Sequence, residues 1–250
     1  MKILAINPNT SKEFNRALEK TTKEYALPST RVKVISPRSG PKSIEGTYDE
    51  ALSVQATLEA FIDHEKDFDA FIIACFSDPL TVYAIREISK KPVLGIAEAS
   101  IHIACLLGNK FSIVTTNERW GSLLQEAVKK YGVKSRCTSV RTTGLRVLDL
   151  EDQASGSVEK GIHQEASIAI ENDGAEVIVL GCAGMSGLDK ELQRKLGVPV
   201  LDGFVCALKL LEFFQQYGIS HSKIKTYASP LFKELSGLPS KFSEAYSRKG

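Results

Sequence analysis

Two cysteines stand at the C-terminal ends of apolar segments, and such a placement suits a pair of acid–base groups. Cys75 follows the apolar run that begins at Ala70, and Cys182 follows a second run that begins at Val177. Small and polar residues come after each cysteine, which is typical of a buried strand that delivers a thiol to its C-terminal end. In an open α/β sheet, that end is where ligands bind.

Two opposed thiols suit the inversion of a carbon stereocentre. Inversion needs a base on one face of the carbon and an acid on the other, and the roles exchange in the reverse direction. The reference pKa of cysteine, about 8.5, makes both thiol and thiolate accessible near neutral pH. Backbone N–H groups and helix N-termini in the turns after Cys75 and Cys182 can lower both pKa values, and they can also hold a developing enolate oxygen. The turns contain no cationic side chain, which favours a neutral cyclic substrate over a dicarboxylate.

An internal repeat puts the two cysteines at equivalent positions. Cys182 lies 107 residues after Cys75, and the same offset separates Pro199 from Pro92, where the triplet Pro-Val-Leu recurs. Landmarks in constant register indicate a duplicated βα unit. Two similar sheets related by a pseudo-twofold axis would bring their C-terminal strand ends, and hence the two thiols, together at a cleft.

Alternating apolar and helix-periodic segments define the elements that position these thiols. The predicted strands cover residues 2–6, 31–35, 71–75, 92–96, 111–116, 136–141, 177–182 and 199–201. The predicted helices include residues 49–64, 80–89, 97–107, 120–131, 158–172 and 204–217. The fold class is therefore α/β, with two pseudo-symmetric lobes, each a mostly parallel four-stranded sheet flanked by helices, and with the active site in the cleft between them.

The repeat also predicts the domain organisation. Residues 1–98 form the first α/β lobe, completed by the helix at 203–217, residues 99–202 form the second lobe, and residues 203–250 form a C-terminal helix and tail. In the helix at 49–64, the spacing predicts an apolar face made of Ala51, Val54, Leu58, Phe61 and Ile62.

Composition excludes several classes of partner. The 250 residues carry a formal charge of +2, which argues against nucleic acid as the main partner. No apolar run reaches the length of about 18 residues that a membrane span needs.

The N-terminal segment lacks the long apolar centre of a signal peptide, so we expect a reducing, cytoplasmic location. The five cysteines form no CxxC pair, so neither a zinc or other metal site nor a disulfide framework is supported.

Five short motifs make the chain similar to a known family. It resembles the hydantoin and allantoin racemases of the aspartate/glutamate racemase superfamily, in segments that span nearly the whole chain up to Phe214. Any one segment alone is weak, but together they are specific. The matching stretches are Asn7-Pro8-Asn9-Thr10-Ser11, Ser43-Ile44-Glu45-Gly46, Ala74-Cys75-Phe76-Ser77-Asp78-Pro79, Phe111-Ser112-Ile113-Val114-Thr115-Thr116 and Gly181-Cys182-Ala183-Gly184-Met185.

The resemblance implies an activity and a set of site residues. It implies two α/β lobes with the site between them, proton transfer by Cys75 and Cys182, no cofactor, and a homo-oligomer. The substrate is expected to be a small cyclic ureide, a 5-substituted hydantoin or allantoin, racemised at C5. Substrate contacts are expected from Asn9, Ile44, Phe76, Ser77, Thr115, Thr116, Ala183 and Gly184.

Three alternatives stay open at this stage. One is a maleate isomerase or arylmalonate decarboxylase type of reaction, although decarboxylation needs only one proton-donating cysteine. Another is a catalytically silent ligand-binding protein on the same fold, and a third is a redox pair formed by the two cysteines. Cys105, Cys137 and Cys206 lack the strand-end context and are interpreted as packing or harmless thiols. Glu98 is interpreted as a salt-bridge partner or an acid in the first turn of a helix.

Overall fold

Two parallel sheets with the same strand order form the framework. In the computed structural model, which describes residues 1–152 and 156–246, β1 (Lys2–Ile6), β2 (Arg31–Ile35), β3 (Ala70–Ile73) and β4 (Val93–Gly95) form a sheet of order β2-β1-β3-β4. Strands β5 (Phe111–Thr115), β6 (Cys137–Thr142), β7 (Val177–Leu180) and β8 (Val200–Asp202) form a second sheet of order β6-β5-β7-β8. The identical order confirms the predicted α/β fold with two similar four-stranded sheets.

Helices connect the strands, as parallel pairing requires. They are α1 (Lys12–Tyr25), α2 (Thr47–His64), α3 (Leu80–Ile88), α4 (Ile96–Leu107), α5 (Glu118–Lys130), α6 (Ser157–Glu171), α7 (Asp189–Leu196), α8 (Gly203–Tyr217) and α9 (Ser240–Tyr246). No helix among the described residues combines the length and the apolar character needed to cross a membrane.

The central strands β1, β3, β5 and β7 are mostly apolar because both of their faces are covered. In β1, Ile3 and Ala5 pack into a central core that includes residues of both sheets, whereas Leu4 and Ile6 pack into an outer core of the first sheet. All four side chains are fully buried. A strand covered on both faces reads as an unbroken apolar run, and such runs made the strands recognisable in the sequence.

Helices α4 and α8 form the centre of the molecule. They pack against each other, and each also packs on the opposite sheet, α4 on β7 and α8 on β3. Ile96 and Gly203 are the first residues of these helices and are related by the 107-residue offset. A Cβ atom added to Gly203 would lie 2.7 Å from the Ile96 carbonyl oxygen, so this close crossing requires glycine. The contact between equivalent positions places the pseudo-twofold axis between the two helices.

The buried face of α2 differs from the predicted apolar face. Ser53, Thr57 and Phe61 are the buried residues of this helix, and Ala51 is exposed. The two hydroxyls tolerate burial because they donate to main-chain carbonyls one turn earlier, Ser53 to Glu50 and Thr57 to Ser53.

The C-terminal tail covers part of the first lobe. Helix α9 packs against α2, and the ammonium group of Lys223 donates to the Arg86 and Glu87 carbonyl oxygens at 2.7 Å each. The last four residues of the predicted tail, 247–250, lie outside the described residues.

Candidate active site

Cys75 and Cys182 occupy equivalent turns at the C-terminal ends of the central strands. Each cysteine lies two residues beyond its strand, because β3 ends at Ile73 and β7 ends at Leu180. The carbonyl of Cys75 accepts a hydrogen bond from the Asp78 N–H at 3.1 Å, and that of Cys182 accepts one from the Met185 N–H at 3.0 Å. Asp78 and Met185 are related by the same 107-residue offset, so the two turns share this hydrogen bond.

The two thiols line a single cavity between the lobes. The space between its walls, including solvent at its open mouth, is about 430 Å³, and none of its described lining side chains carries a charge. Seven of the eight expected substrate contacts also line it: Asn9, Ile44, Phe76, Ser77, Thr116, Ala183 and Gly184. The strand-end turns and the loop after β2 therefore meet where the repeat predicts a cleft.

Thr115, the eighth expected contact, lies behind the cavity wall. Its hydroxyl is fully buried and donates to the Gly181 carbonyl oxygen at 2.9 Å, so it holds the turn that carries Cys182. Thr116 is different, since it lines the cavity and its buried Oγ1 has no hydrogen-bond partner in the described structure. A buried hydroxyl without a partner costs free energy, which a ligand can recover by hydrogen bonding to it.

The Asn9 side chain is held in one orientation. Its Oδ1 accepts hydrogen bonds from the Asn7 side-chain amide and from the Ser11 N–H, both at 2.9 Å. Because the oxygen has these two partners, the amide Nδ2 is the group that Asn9 can offer to a ligand as a donor.

Four apolar wall residues were not identified from the sequence. Phe14 comes from α1, Trp120 and Leu124 come from α5, and Val147 comes from the 3₁₀ turn at Val147–Glu151. All four are buried, like ordinary core residues. Nothing in their local sequence distinguishes a residue that lines a cavity from one that fills a core.

Glu45 joins the loop after β2 to the second lobe. Its carboxylate accepts a hydrogen bond from the Asn117 side-chain amide at 2.7 Å and from the Val147 N–H at 3.0 Å, and it also accepts from Ser43 at 3.0 Å. These contacts close one side of the cavity and place Ile44 on its wall. The sequence motif had indicated this loop but not its link to the second lobe.

Burial raises the pKa of both thiols, which contradicts the expectation that the turns lower them. The pKa of Cys75 is raised to about 11, mainly by burial, while the hydroxyl and N–H of Ser77 lower it and the charge of Glu50 raises it. The pKa of Cys182 is raised to about 12, again mainly by burial, with the Gly184 N–H lowering it and the Glu45 charge raising it. Loss of hydration therefore outweighs the favourable N–H groups.

A polar chain leads away from Cys75. The Cys75 Sγ lies 3.4 Å from Ser77 Oγ, and Glu50, in the first turn of α2, lies near enough to Ser77 and Cys75 for their electrostatics to be coupled. Burial raises the pKa of Glu50, and the Ser77 hydrogen bond and the Lys130 ammonium group lower it. No pattern in the sequence indicated that Glu50 would lie here.

Asp78 stabilises the turn that carries Cys75 through its hydrogen bonds. Its carboxylate accepts hydrogen bonds from the Ala97 N–H at 3.1 Å and the Glu98 N–H at 2.6 Å, which caps α4, and from the Tyr131 hydroxyl at 2.6 Å. Burial is the main cause that raises the pKa of Asp78 to about 6. The carboxylate fills the space where a Cβ of Gly95 would lie, at 2.1 Å from it, so glycine is required there.

The remaining candidate residues have structural surroundings. Glu98 forms a salt bridge with Arg86 at 2.7 Å, which confirms the interpretation made for it. Cys206 is buried, and Cys105 and Cys137 are partly buried. The described residues contain no group of three or more His, Cys, Asp or Glu side chains placed to hold a metal ion.

Comparison with known proteins assigns the family. Residues 3–211 match the family model described as Asp/Glu/Hydantoin racemase. A hydantoin racemase from Pseudomonas sp. (strain NS671) is 42% identical over 95% of this chain and 95% of its own length. A hydantoin racemase from Rhizobium meliloti is 39% identical over 95% of this chain and 98% of its own length.

Solved structures agree with the sequence matches. An allantoin racemase from Klebsiella pneumoniae superposes with a TM-score of 0.91 at 37% identity, covering 98% of each chain. An arylmalonate decarboxylase variant superposes with a TM-score of 0.62 at 16% identity, covering 87% of this chain and 94% of its own, and shares the fold alone. These matches confirm the resemblance inferred from the motifs: the chain belongs to the Asp/Glu/Hydantoin racemase family and is an isomerase.

Proposed function

We propose that the protein racemises 5-substituted hydantoins or allantoin, with Cys75 and Cys182 as the two bases and without a cofactor. The observation that carries this proposal is that both cysteine turns line one uncharged cavity. A five-membered ring bound between the thiols presents one face to each. One thiolate removes the C5 proton while the other thiol returns a proton to the opposite face.

The C5–H bond is acidic enough for this chemistry because a ring carbonyl adjoins it. Charge that develops on that carbonyl oxygen needs donors, and the Ser77 and Gly184 N–H groups, which hydrogen-bond the thiols, lie in the two turns that face the ring. Thr116 Oγ1 and Asn9 Nδ2 offer further donors to the ring's polar edge. Because the pKa of each thiol is raised, forming a thiolate costs free energy. One of the two turns must therefore stabilise its thiolate more strongly when the substrate binds and displaces water.

The cavity wall favours an apolar substituent on C5. Phe14, Ile44, Trp120, Leu124 and Val147 make up most of the wall away from the thiols. The ureido group of allantoin would leave its N–H and carbonyl groups poorly paired against such a surface, and unpaired buried polar groups reduce affinity. Hydantoins with aliphatic or aromatic substituents are therefore the preferred substrates in this proposal.

Anionic substrates of the maleate type fit less well. No charged side chain lines the cavity among the described residues, and the charged groups that act on the thiols, Glu45 and Glu50, are acidic. A dicarboxylate would lose hydration without gaining a cationic partner.

The test is to follow the optical rotation of single enantiomers of allantoin and of hydantoins with apolar 5-substituents. We expect rotation to decay to zero fastest for the apolar hydantoins, and not at all with the Cys75→Ser/Cys182→Ser double variant. A wild-type protein that leaves every rotation unchanged would refute the assignment. Faster racemisation of allantoin than of the apolar hydantoins would refute the substituent preference alone.

We also propose that the protein forms a homo-oligomer. Several large apolar side chains are exposed on the central helices, including Leu106 on α4 and the stacked rings of Phe213 and Tyr217 on α8. Exposed apolar residues that lie close together are typical of association surfaces. Light scattering at several protein concentrations tests this, and a mass that stays at the monomer value would contradict it.

A further inference from the structure

One buried carboxylate lies at the start of each central helix. The Asp78 carboxylate accepts hydrogen bonds from the N–H groups of residues 97 and 98, at the start of α4. The Asp202 carboxylate accepts hydrogen bonds from the N–H groups of residues 204 and 205, at the start of α8, at 2.8 and 3.4 Å. The 107-residue offset relates residue 97 to 204 and residue 98 to 205. The two carboxylates therefore occupy equivalent positions in the two lobes.

Different places in the repeat supply these two carboxylates. Asp78 belongs to the turn after β3, whereas Asp202 is the last residue of β8. The offset relates Asp78 to Met185 and Asp202 to Gly95, and neither of these partners is acidic. Gly95 has no side chain, and the Asp78 carboxylate fills the space that a Cβ atom at Gly95 would take. Each lobe thus has a carboxylate at the same point, although the chain provides it in two ways.

The Asp78 carboxylate connects the Cys75 turn to α4. The Asp78 N–H donates to the Cys75 carbonyl oxygen at 3.1 Å, so this residue is part of the turn. Its backbone φ is 44°, in the left-handed region that residues with a Cβ atom seldom adopt. The hydrogen bonds of its buried side chain help to hold that conformation, and with it the turn.

The Asp202 carboxylate connects the Cys182 turn to α8. One of its oxygens accepts a hydrogen bond from the Ser186 hydroxyl at 2.6 Å and another from the Gly187 N–H at 3.1 Å. These two donors directly follow the 3₁₀ turn at Ala183–Met185, which begins next to Cys182. Asp202 is buried, so water competes little for these hydrogen bonds.

The placement of each thiol decides the rate of proton transfer. A reacting group that is displaced by about 1 Å can slow a reaction by about a hundredfold. Inversion needs one thiol on each face of the ring, so both turns must be placed accurately. Because α4 and α8 pack against each other, two turns that are each fixed to one of these helices are also fixed relative to each other.

We propose that Asp78 and Asp202 are paired positioning residues, each of which fixes one catalytic thiol to the start of the central helix in its own lobe. Asp78 positions Cys75, and Asp202 positions Cys182. This role rests on the proposed function, and it is indirect, since neither carboxylate is among the described residues that line the cavity. Each aspartate should therefore matter for proton transfer on one face of the ring and not on the other.

The first test measures deuterium uptake at C5 of a hydantoin in D₂O by the two single-thiol variants. In Cys75→Ser, where Cys182 acts alone, adding Asp202→Asn should lower kcat for exchange by about tenfold, and adding Asp78→Asn by less than about twofold. In Cys182→Ser the two effects should be reversed. KM should change by less than about twofold throughout, because both side chains lie outside the cavity wall.

The sign of the effect separates position from charge. The charged and titratable groups that face the Cys75 thiol are Glu50 and Asp78, and both raise its pKa. Removing the charge of Asp78 alone would favour the Cys75 thiolate and speed exchange. Slower exchange by Cys75 in Asp78→Asn therefore reports a loss of position, and faster exchange would overturn the proposal.

Ser186→Ala tests the link to Cys182 while leaving both helix caps in place. It removes the hydroxyl that joins Asp202 to the turn, so exchange by Cys182 should slow by about threefold to tenfold. Thr21→Val is the matched control, because it removes a buried hydroxyl 2.9 Å from Ser186 Oγ that does not reach the carboxylate. The control should change exchange by less than about twofold. If Asp202→Asn does not fold, this pair of variants carries the test.

The last test needs no turnover. Alkylation of Cys75 and Cys182 by iodoacetamide is followed for each thiol by peptide mass spectrometry. A turn that has lost its link opens more often, so Asp202→Asn and Ser186→Ala should speed alkylation of Cys182 by about threefold or more and leave that of Cys75 within about twofold.

The outcomes separate this role from a general loss of stability and from a failure of the proposed function. Equal losses of exchange in both single-thiol backgrounds, or equal changes in the alkylation of both thiols, would mean that the carboxylates merely stabilise the fold, and would overturn the proposal. If alkylation changes selectively but no single-thiol variant exchanges any hydantoin, the carboxylates do hold the two turns and the racemase substrate assignment fails.

Discussion

Asp78→Asn should change how stability depends on pH. Asp78 is 3% exposed, and its carboxylate accepts three hydrogen bonds, from the Ala97 and Glu98 N–H groups and from the Tyr131 hydroxyl. The asparagine side chain has a similar shape but a single acceptor oxygen and no charge, so it cannot titrate. Comparing the two proteins isolates the contribution of this one group.

The magnitude follows from the pKa of the carboxyl group. The pKa rises from 3.8 to about 6 on folding, so the folded state binds the proton more tightly than the unfolded state does. Protonation of Asp78 therefore stabilises the fold below pH 3.8, and this contribution is lost as the pH rises through about 6. The full shift corresponds to about 3 kcal/mol, of which about 2 kcal/mol falls between about pH 4.5 and about pH 7.5.

Urea unfolding across that pH range measures the effect. The free energy of unfolding of the wild type, minus that of Asp78→Asn, should decrease by about 2 kcal/mol from the acidic to the alkaline end. Subtraction removes the contributions of other titrating groups that both proteins share. A difference that stays constant with pH, or that increases with pH, would refute the argument that burial raises the pKa of Asp78.

Three further substitutions test the cavity itself. Gly184→Ala would place a Cβ 2.8 Å from Leu150 Cδ1 and 3.0 Å from Phe14 Cε1. The Cys182 turn must then shift, and kcat/KM should fall by about tenfold to a hundredfold, whereas unchanged kinetics would contradict this packing. Thr116→Val removes a buried hydroxyl that has no partner in the described structure, so the free energy of unfolding should rise by about 1 kcal/mol while KM increases. A stability loss would show that the hydroxyl has a partner in solution. Cys105→Ser alters a thiol outside the cavity lining, so racemisation should continue at the wild-type rate, and inactivity would contradict the assignment of the two catalytic thiols.

The central strands of the sheets were predictable because burial on both faces leaves a strong signal in the sequence. The apolar runs that contain β3 and β7 are continuous. The 107-residue offset between them indicated that the two strands occupy equivalent positions in the repeat. The boundaries were less certain, since each run continues two residues past its strand to Cys75 or Cys182. Small residues there allow the chain to turn before the apolar character ends.

Helix faces and cavity walls were harder to predict for a physical reason. Hydropathy describes a residue by type, so the buried Ser53 and Thr57 of α2 read as surface residues although main-chain carbonyls satisfy their hydroxyls. Trp120 reads as core whether it fills a core or lines a cavity. The division of the chain at residues 98 and 202 stays a prediction, and the reciprocal packing of α4 and α8 shows that the two lobes share their central helices.

Electrostatics could not be predicted from the motifs. The turns contain N–H groups that lower a thiol pKa, but the degree of burial around Cys75 and Cys182 depends on residues distant in sequence. Glu50 belongs to the first turn of α2, where an acid normally stabilises the helix end, so its proximity to Cys75 became apparent only in the folded structure.

Deuterium uptake by the two single-thiol variants tests the central claim most directly. Each enantiomer of a hydantoin with an apolar 5-substituent is incubated in D₂O with Cys75→Ser and with Cys182→Ser, and the C5 proton is followed by NMR. The account predicts that neither variant racemises the substrate and that each exchanges a different enantiomer with retention of configuration. If either variant racemises at the wild-type rate, or if both exchange the same enantiomer, the two thiols do not act on opposite faces of the ring.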